Sequence, residues 1–294
     1  MKVTIVGCGP AGVSAAIYVR RANIETTIIG TRDTALATAK KIENYYGFAE
    51  PISGMELFEA GLQQSKRLGC QVIIGEVISL FADDKFRVRT MDCEVYSDAI
   101  ILAMGQQKKR LDIAGLAEFE GHGVSYCAIC DAFFFRGKKV VVIGEGEYAI
   151  AEVKELAEVV GEVILLTNGF LPTADLVGIS VITAKIKAIV GEDYVAGVVF
   201  VDGKNLAVDG VFVAVGVASC GDLARRLGVL VENNKIIVDE AGATNFPGVF
   251  AAGDCVNSLC QIATAVASGA LAGISVAKYV RSIEVGNKNG TCKI

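Results

Sequence analysis

Val3-Thr4-Ile5-Val6-Gly7-Cys8-Gly9-Pro10-Ala11-Gly12 is a β-branched run that passes without a break into G-x-G-x-x-G. A helical pattern follows to about residue 22, so the glycines stand between a strand and a helix. In that setting each glycine has a task. The first permits the tight turn, the second lets the backbone approach a pyrophosphate, and the third lets helix and strand pack closely. The stretch predicts a dinucleotide site on an α/β fold. A strand at residues 26–29 completes the βαβ unit. An acidic residue is expected at its end to bind an adenosine ribose, but the chain reads Gly30-Thr31-Arg32-Asp33, which leaves Thr31, Arg32 and Asp33 open for that contact.

Working outward, Ile42-Glu43-Asn44-Tyr45-Tyr46-Gly47 reads as a loop and residues 52–68 as a helix. Strand patterns recur at 71–74, 77–81, 86–89 and 99–102, the last running into Ala103-Met104-Gly105. Past a charged linker at 107–110 the pattern restarts. Residues 139–143 form a β-branched strand, Gly144-Glu145-Gly146-Glu147-Tyr148-Ala149 a turn, and 150–160 a helix closed by Gly161. Laid over residues 3–12, this is an internal repeat, and two such units imply two nucleotide-type domains. A strand at 163–167, a hairpin-rich stretch at 181–201 and a strand at 211–215 complete the second unit. Residues 246–254 read as a buried strand ending in Asp254, before a helix at 261–280. A carboxylate there suits hydrogen bonding to a polyol, and an ordinary turn Asp fits the same pattern.

The 294 residues suffice for two cores. A hydrophobic share of 52% with 33 glycines and no Trp suits buried parallel strands covered by helices. A net charge of −5, with no run of Lys and Arg, argues against nucleic acid. The apolar stretch at 262–280, broken by Gly269, Gly273 and several hydroxyls, is expected to be too short and mixed to span a membrane. The chain enters a strand at Lys2 with no charged-then-apolar leader, so a cytoplasmic location is expected. Most of the nine cysteines are then expected as thiols, with one functional pair.

That pair is Cys127-Ala128-Ile129-Cys130-Asp131, followed closely by Phe133-Phe134-Phe135. A C-x-x-C near a helix start brings two sulfurs within bonding reach, and the helix dipole lowers the first thiol's pKa. The same spacing also serves as half a zinc site. No second C-x-x-C or Cys/His pair lies at finger spacing, and Cys93, Cys220, Cys255, Cys260 and Cys292 are scattered, so no metal is expected. The single histidine, His122, reads as a loop residue and a second acid–base candidate after Asp131.

Taken in order and spacing, these motifs resemble the low-molecular-weight thioredoxin reductase family over almost the whole chain. The matching residues are Gly7 to Gly12, Ile42-Glu43-Asn44, Ala103-Met104-Gly105, Cys127 to Asp131, Gly248 to Asp254, and Gln261. The resemblance implies two Rossmann-like three-layer domains, the class II pyridine nucleotide-disulfide oxidoreductase architecture. Residues 1–110 and 238–294 would form a discontinuous FAD-binding domain and 111–237 a redox-disulfide domain. It implies FAD contacts from Gly7, Gly9, Pro10, Ala11, Gly12, Thr31, Asn44, Val77, Ala103, Gly105, Gly253, Asp254, Gln261 and Ile262. Of these, Asp254 would bind the ribitol and Gln261 would lie near the isoalloxazine. It also implies that Cys130 takes electrons from the flavin, Cys127 attacks the thioredoxin disulfide and Asp131 handles protons, in a homodimer whose domains rotate between steps. Cys255 and Cys260 would flank the flavin as small buried packers, with Cys8 as filler.

The departures from the family bear on the electron donor. NADPH-dependent members have a second turn close to G-G-G-N-x-A and an H-R-R stretch for the 2′-phosphate. This chain has Glu145 and Glu147 in the turn and Leu166-Thr167-Asn168-Gly169 in the later stretch. A carboxylate about 5 Å from a phosphate, at an effective dielectric of about 20, costs roughly 3 kcal/mol before screening. A micromolar ligand has only about 8 kcal/mol in all. The chain therefore resembles most the ferredoxin-dependent flavin thioredoxin reductases, with the path ferredoxin to FAD to Cys127/Cys130 to thioredoxin. The alternatives are an NAD(P)H-dependent reductase and an FAD-dependent dithiol oxidase using oxygen.

Overall fold

A computed structural model describes residues 1–105, 111–126, 128–171, 173, 176–216, 218–233, 235–256 and 259–290. Cys127, the linker at 107–110, Cys292 and the side chains of Ile129, Cys130 and residues 286–290 lie outside that description. The chain forms two compact units, one of Met1–Gln106 with Ser219–Ile294 and one of Gln107–Ala218.

The first unit opens with β1 (Lys2–Val6), α1 (Pro10–Arg21) and β2 (Glu25–Gly30), followed by α2 (Gly54–Arg67) and β3 (Gln71–Ile74). Ser53 caps α2 in a capping box with Glu56, which fixes the helix start at Gly54. An antiparallel meander of β4 (Val77–Ala82), β5 (Phe86–Thr90) and β6 (Glu94–Ser97) precedes β7 (Ala99–Leu102).

The second unit holds β8 (Val124–Ser125), the short helix α3 (Ala128–Asp131), β9 (Lys139–Ile143), α4 (Glu147–Ala157), β10 (Glu162–Leu166) and β11 (Ser180–Ile182). An antiparallel sheet of β12 (Ile186–Gly191), β13 (Val195–Phe200) and β14 (Asn205–Ala207) follows, then β15 (Gly210–Val213). The main sheet, ordered β11-β10-β9-β15-β8, is parallel at every pairing. Helix α4 starts at Glu147, three residues before the sequence suggested, because Gly146 is extended and serves as its N-cap.

The chain re-enters the first unit at Ser219, not at residue 238. The reason is α5 (Cys220–Arg226), an element the sequence pattern did not reveal, which packs on β4 and on the β16–β17 pair (Val231–Glu232, Lys235–Ile236). β18 (Val249–Ala251) then joins β7 to complete the parallel sheet β18-β7-β1-β2-β3. Helix α6 (Ile262–Gly290) closes the unit.

α6 runs ten residues past the expected end. Its stretch Ile262–Val285, with mean hydropathy 1.3, is long and apolar enough to cross a membrane, which corrects the expectation that it is too short. Its glycines serve packing against α1. A Cβ on Gly269 would stand 2.2 Å from the Ala11 carbonyl oxygen, and one on Gly273 would stand 2.5 Å from that of Ala15. The two helices touch backbone to backbone, and Ala272, Val276 and Val280 join Ala15, Ala16 and Val19 in the core.

Candidate functional site

The first glycine turn is built by sterics. Gly7 has φ +117°, and a Cβ on Gly12 would lie 1.9 Å from the Gly7 carbonyl oxygen. Gly9 differs from both: a Cβ there would meet nothing within 4 Å. That open space stands at the N-terminus of α1, where Gly9 supplies no side-chain cap and Pro10 occupies the first turn. The amides that a helix start leaves without intrahelical partners, with the dipole, make it a place for an anion. Gly105, with φ +73° after β7, likewise has nothing within 4 Å of its added Cβ. Ala103 is buried, its amide donating to the Val6 carbonyl at 2.7 Å.

Two residues from remote parts of the sequence meet at the start of α6. Asn44 Nδ2 donates to Gln261 Oε1 at 3.0 Å. Gln261 in turn accepts on its carbonyl from Ala265 N, and Ile262 begins the helix half-buried. Asp254 is half-buried in a 3₁₀ turn, its carbonyl bonded by Lys235 Nζ. Gly253 has φ +83° and donates to Ser268 Oγ at 2.9 Å. At the end of β2, Arg32 pairs with Glu59 of α2, and the Thr31 carbonyl accepts from Cys8 Sγ at 3.1 Å. Of the three residues left open for the ribose, Arg32 is thus already engaged. Val77 is buried with 3% exposure.

In the second unit, α3 holds Ala128 to Asp131 of the C-x-x-C-D segment. Ser125 Oγ donates to Asp131 Oδ2 at 2.6 Å, which orients the carboxylate that ends the helix. Phe133 and Phe134 are 70% and 69% exposed and meet edge to face, while Phe135 is buried against Phe212. His122 packs against Tyr194, and its Nδ1 lies 3.4 Å from the Glu120 carbonyl, the loop role expected of it.

The cysteines outside this segment sort by burial. Cys255 is buried as expected, but its neighbour is Cys220 of α5, a contact the sequence concealed. The hydrogen bond with the Cys220 thiol, followed by burial, pushes the Cys255 thiol well above its ordinary value. Cys260 is exposed, which corrects the expectation of a buried packer. Cys8 is 2% exposed, as filler should be, and burial pushes its thiol to about 11. No cluster of three metal-binding side chains occurs among the described residues.

The pyridine nucleotide-disulphide oxidoreductase family model matches residues 1–269. A thioredoxin reductase of Listeria monocytogenes is 34% identical over 305 residues, spanning 96% of this chain and 94% of its own. The chain belongs to this family, among the thioredoxin reductases. The crystal structure of the atypical thioredoxin reductase from Desulfovibrio vulgaris Hildenborough is 38% identical, with a TM-score of 0.91 over 96% of this chain and 98% of that one. A ferredoxin-flavin thioredoxin reductase from Clostridium acetobutylicum is 29% identical, with a TM-score of 0.72 over the same shares.

The cofactor is FAD, and the residues present fit it. The space over Gly9 and the uncapped start of α1 suit its pyrophosphate, and the half-buried Asp254 suits a polyol hydroxyl. When bound, FAD carries electrons between a donor and a disulfide. The chain's own residues would bind it, while Ser125 orients the Asp131 carboxylate at the end of α3.

Proposed function

We propose that this flavoprotein disulfide reductase takes electrons from reduced ferredoxin and delivers them through FAD and the Cys127/Cys130 couple to thioredoxin, as a cytoplasmic homodimer. The observation that carries the choice of donor is the second glycine turn. Glu145 and Glu147 stand at the N-terminus of α4, where a dinucleotide would place its pyrophosphate. The cavity there, about 190 Å³, is lined by Leu111, Ile143, Gly144, Glu145, Asn168, Phe170 and Val215. Small-molecule sites usually hold about 300–1,000 Å³. The chain also folds over this turn, since Thr173 N donates to the Glu145 carbonyl at 3.2 Å. Where a 2′-phosphate would need arginines, Asn168 Oδ1 accepts from Ile186 N at 2.8 Å and Thr167 Oγ1 bonds the Phe170 carbonyl. The likeness to the Clostridium ferredoxin-flavin reductase supports the same donor.

Within the couple, Cys127 is the thiol that attacks thioredoxin, Cys130 the one that exchanges electrons with the flavin, and Asp131 the proton carrier. The exposed Phe133 and Phe134 support a protein substrate docking beside them. A second reading, with NADH as donor, draws on Gly146, whose added Cβ would meet no atom closer than 3.6 Å and so leaves the backbone cradle open.

The test is anaerobic flavin bleaching with NADPH, NADH and reduced ferredoxin, each followed by thioredoxin reduction. Bleaching and turnover with ferredoxin alone are expected. Rapid bleaching by either nicotinamide, with no turnover from ferredoxin, would overturn the reading. Oxygen uptake driven by a small dithiol would instead identify an oxidase.

A further inference from the structure

The acid expected at the end of β2 is missing, and an arginine stands close to its place. Residues 29–31 lace that end to the first glycine turn. Gly7 N donates to the Ile29 carbonyl at 2.7 Å, and Cys8 Sγ donates to the Thr31 carbonyl at 3.1 Å. A Cβ on Gly30 would stand 2.7 Å from Cys8 N, so the two backbones touch. Arg32 comes next, and its Nη1 is closed onto Glu59 Oε1 of α2. Burial dominates the Cys8 thiol; behind it and the residue's own backbone, the Arg32 charge lowers the pKa and the Glu59 charge raises it, so the pair stands close to the turn. Helix α2 is fixed on either side of Glu59. Gly54 N donates to the Ala39 carbonyl at 2.8 Å, and a Cβ on Gly61 would rest 3.4 Å from Val13 of α1.

Near this point of a dinucleotide fold, an arginine suits a ribose 2′-phosphate, whereas a carboxylate suits a free 2′-hydroxyl. FAD carries the free hydroxyl. Arg32 alone would favour the wrong ribose, and the carboxylate set on its guanidinium reverses that preference. A carboxylate has two oxygens and about four acceptor sites, so Glu59 can bond Arg32 and still accept from a hydroxyl. The side chains are 53% and 35% exposed, and an open ion pair adds little stability, so the fold does not explain the pairing. Glu56 of the same helix is taken up by the cap at Ser53. Asp33, exposed beside Arg32, is the rival acid.

We infer that Glu59, held in place by Arg32, substitutes for the missing acid: it accepts from the adenosine ribose of FAD and makes the first turn reject a ribose 2′-phosphate. The inference rests on the placing of FAD at that turn.

The test uses full-length protein freed of flavin and titrated with FAD, with ADP-ribose and 2′-phospho-ADP-ribose as competitors read by flavin fluorescence. In wild type, ADP-ribose should displace FAD at least about thirtyfold better than its 2′-phosphorylated form. Glu59→Gln should weaken FAD about tenfold and cut that ratio at least about tenfold, because the freed Arg32 pairs with the phosphate. Adding Arg32→Gln should abolish the gain of the phosphorylated probe. Melting temperatures of these surface variants should stay within about 2 °C of wild type. Equal displacement by the two probes in wild type, absent displacement included, overturns the inference. So does an unchanged ratio in Glu59→Gln, or a ratio moved by Asp33→Asn instead. An FAD affinity untouched by Gly9→Ala is a different failure, since it would refute the placing of FAD itself.

Discussion

Asn44 and Gln261, 217 positions apart in sequence, share one hydrogen bond of 3.0 Å beside the start of α6. Both belong to the residues expected to contact FAD, and the bond ties a surface loop to the last helix. Removing either partner by Asn44→Ala or Gln261→Ala should weaken FAD binding by about 0.5–1.5 kcal/mol, two- to tenfold in Kd. The double variant should lose less than the sum, because the two act through one bond. Fluorescence titration of the apoprotein with FAD measures all three.

Gly9 and Gly12 should respond in opposite ways to the same substitution. Gly12→Ala drives a Cβ to 1.9 Å from a backbone oxygen and is expected to cost about 3 kcal/mol or more in stability. Gly9→Ala meets no protein atom and has an ordinary φ of −76°, so the melting temperature of the apoprotein should hardly change. Its methyl enters the space assigned to pyrophosphate, and FAD affinity should fall at least about tenfold. Thermal melts with and without FAD distinguish the two.

Ser125→Ala removes the 2.6 Å bond that orients Asp131. A bond to a charged acceptor is worth about 1.5–3 kcal/mol, so kcat should fall by about tenfold or more while KM for thioredoxin holds. Asp131→Asn should cost at least as much. Steady-state thioredoxin reduction reads both.

Phe134→Ala leaves the core untouched, since the ring is 69% exposed. The expected result is a KM for thioredoxin raised about five- to tenfold with unchanged melting temperature and FAD content. A Phe135→Ala change should destabilise the protein by about 3 kcal/mol instead, because that ring packs against Phe212.

Alkaline pH should weaken the fold through its buried thiols. Burial raises Cys8 and Cys70 from 9.0 to about 11, and the Cys220 contact with burial raises Cys255. Unfolded, these thiols ionise near 9, whereas in the fold they stay protonated. Their contribution is fully present below pH 9 and is lost as pH rises through about 11. Urea midpoints at pH 7.5, 9 and 10.5 should show a small decline in the lower interval and most of it in the upper. At pH 8.5 a thiol reagent should label Cys260 and spare Cys8 and Cys255 in native protein.

Much of the architecture was legible in local pattern. The β1 run, the glycine turn and α1 follow one another within twenty residues, so periodicity and glycine sterics reveal them together. The boundary at residue 238 was misplaced for the opposite reason. Helix α5 is short, and its membership in the first unit comes from packing on β4, about 140 residues earlier, which no local signal encodes. The continuation of α6 past residue 280 was missed because its later turns carry mixed polarity and include Gly286, Asn287, Asn289 and Gly290, residues that usually end a helix.

The sequence by itself determined the two glycine turns, the C-x-x-C-D segment and the pair of glutamates in the second turn, since each is a matter of residue type at fixed spacing along a short stretch. Only the tertiary structure decided which acids stand where. It set Ser125 on Asp131, the carboxylate of Glu152 on the amide after Cys127, the thiol of Cys220 on that of Cys255, and Asn44 on Gln261. These groups meet across turns, helices and sheet edges, and their partners are chosen by packing.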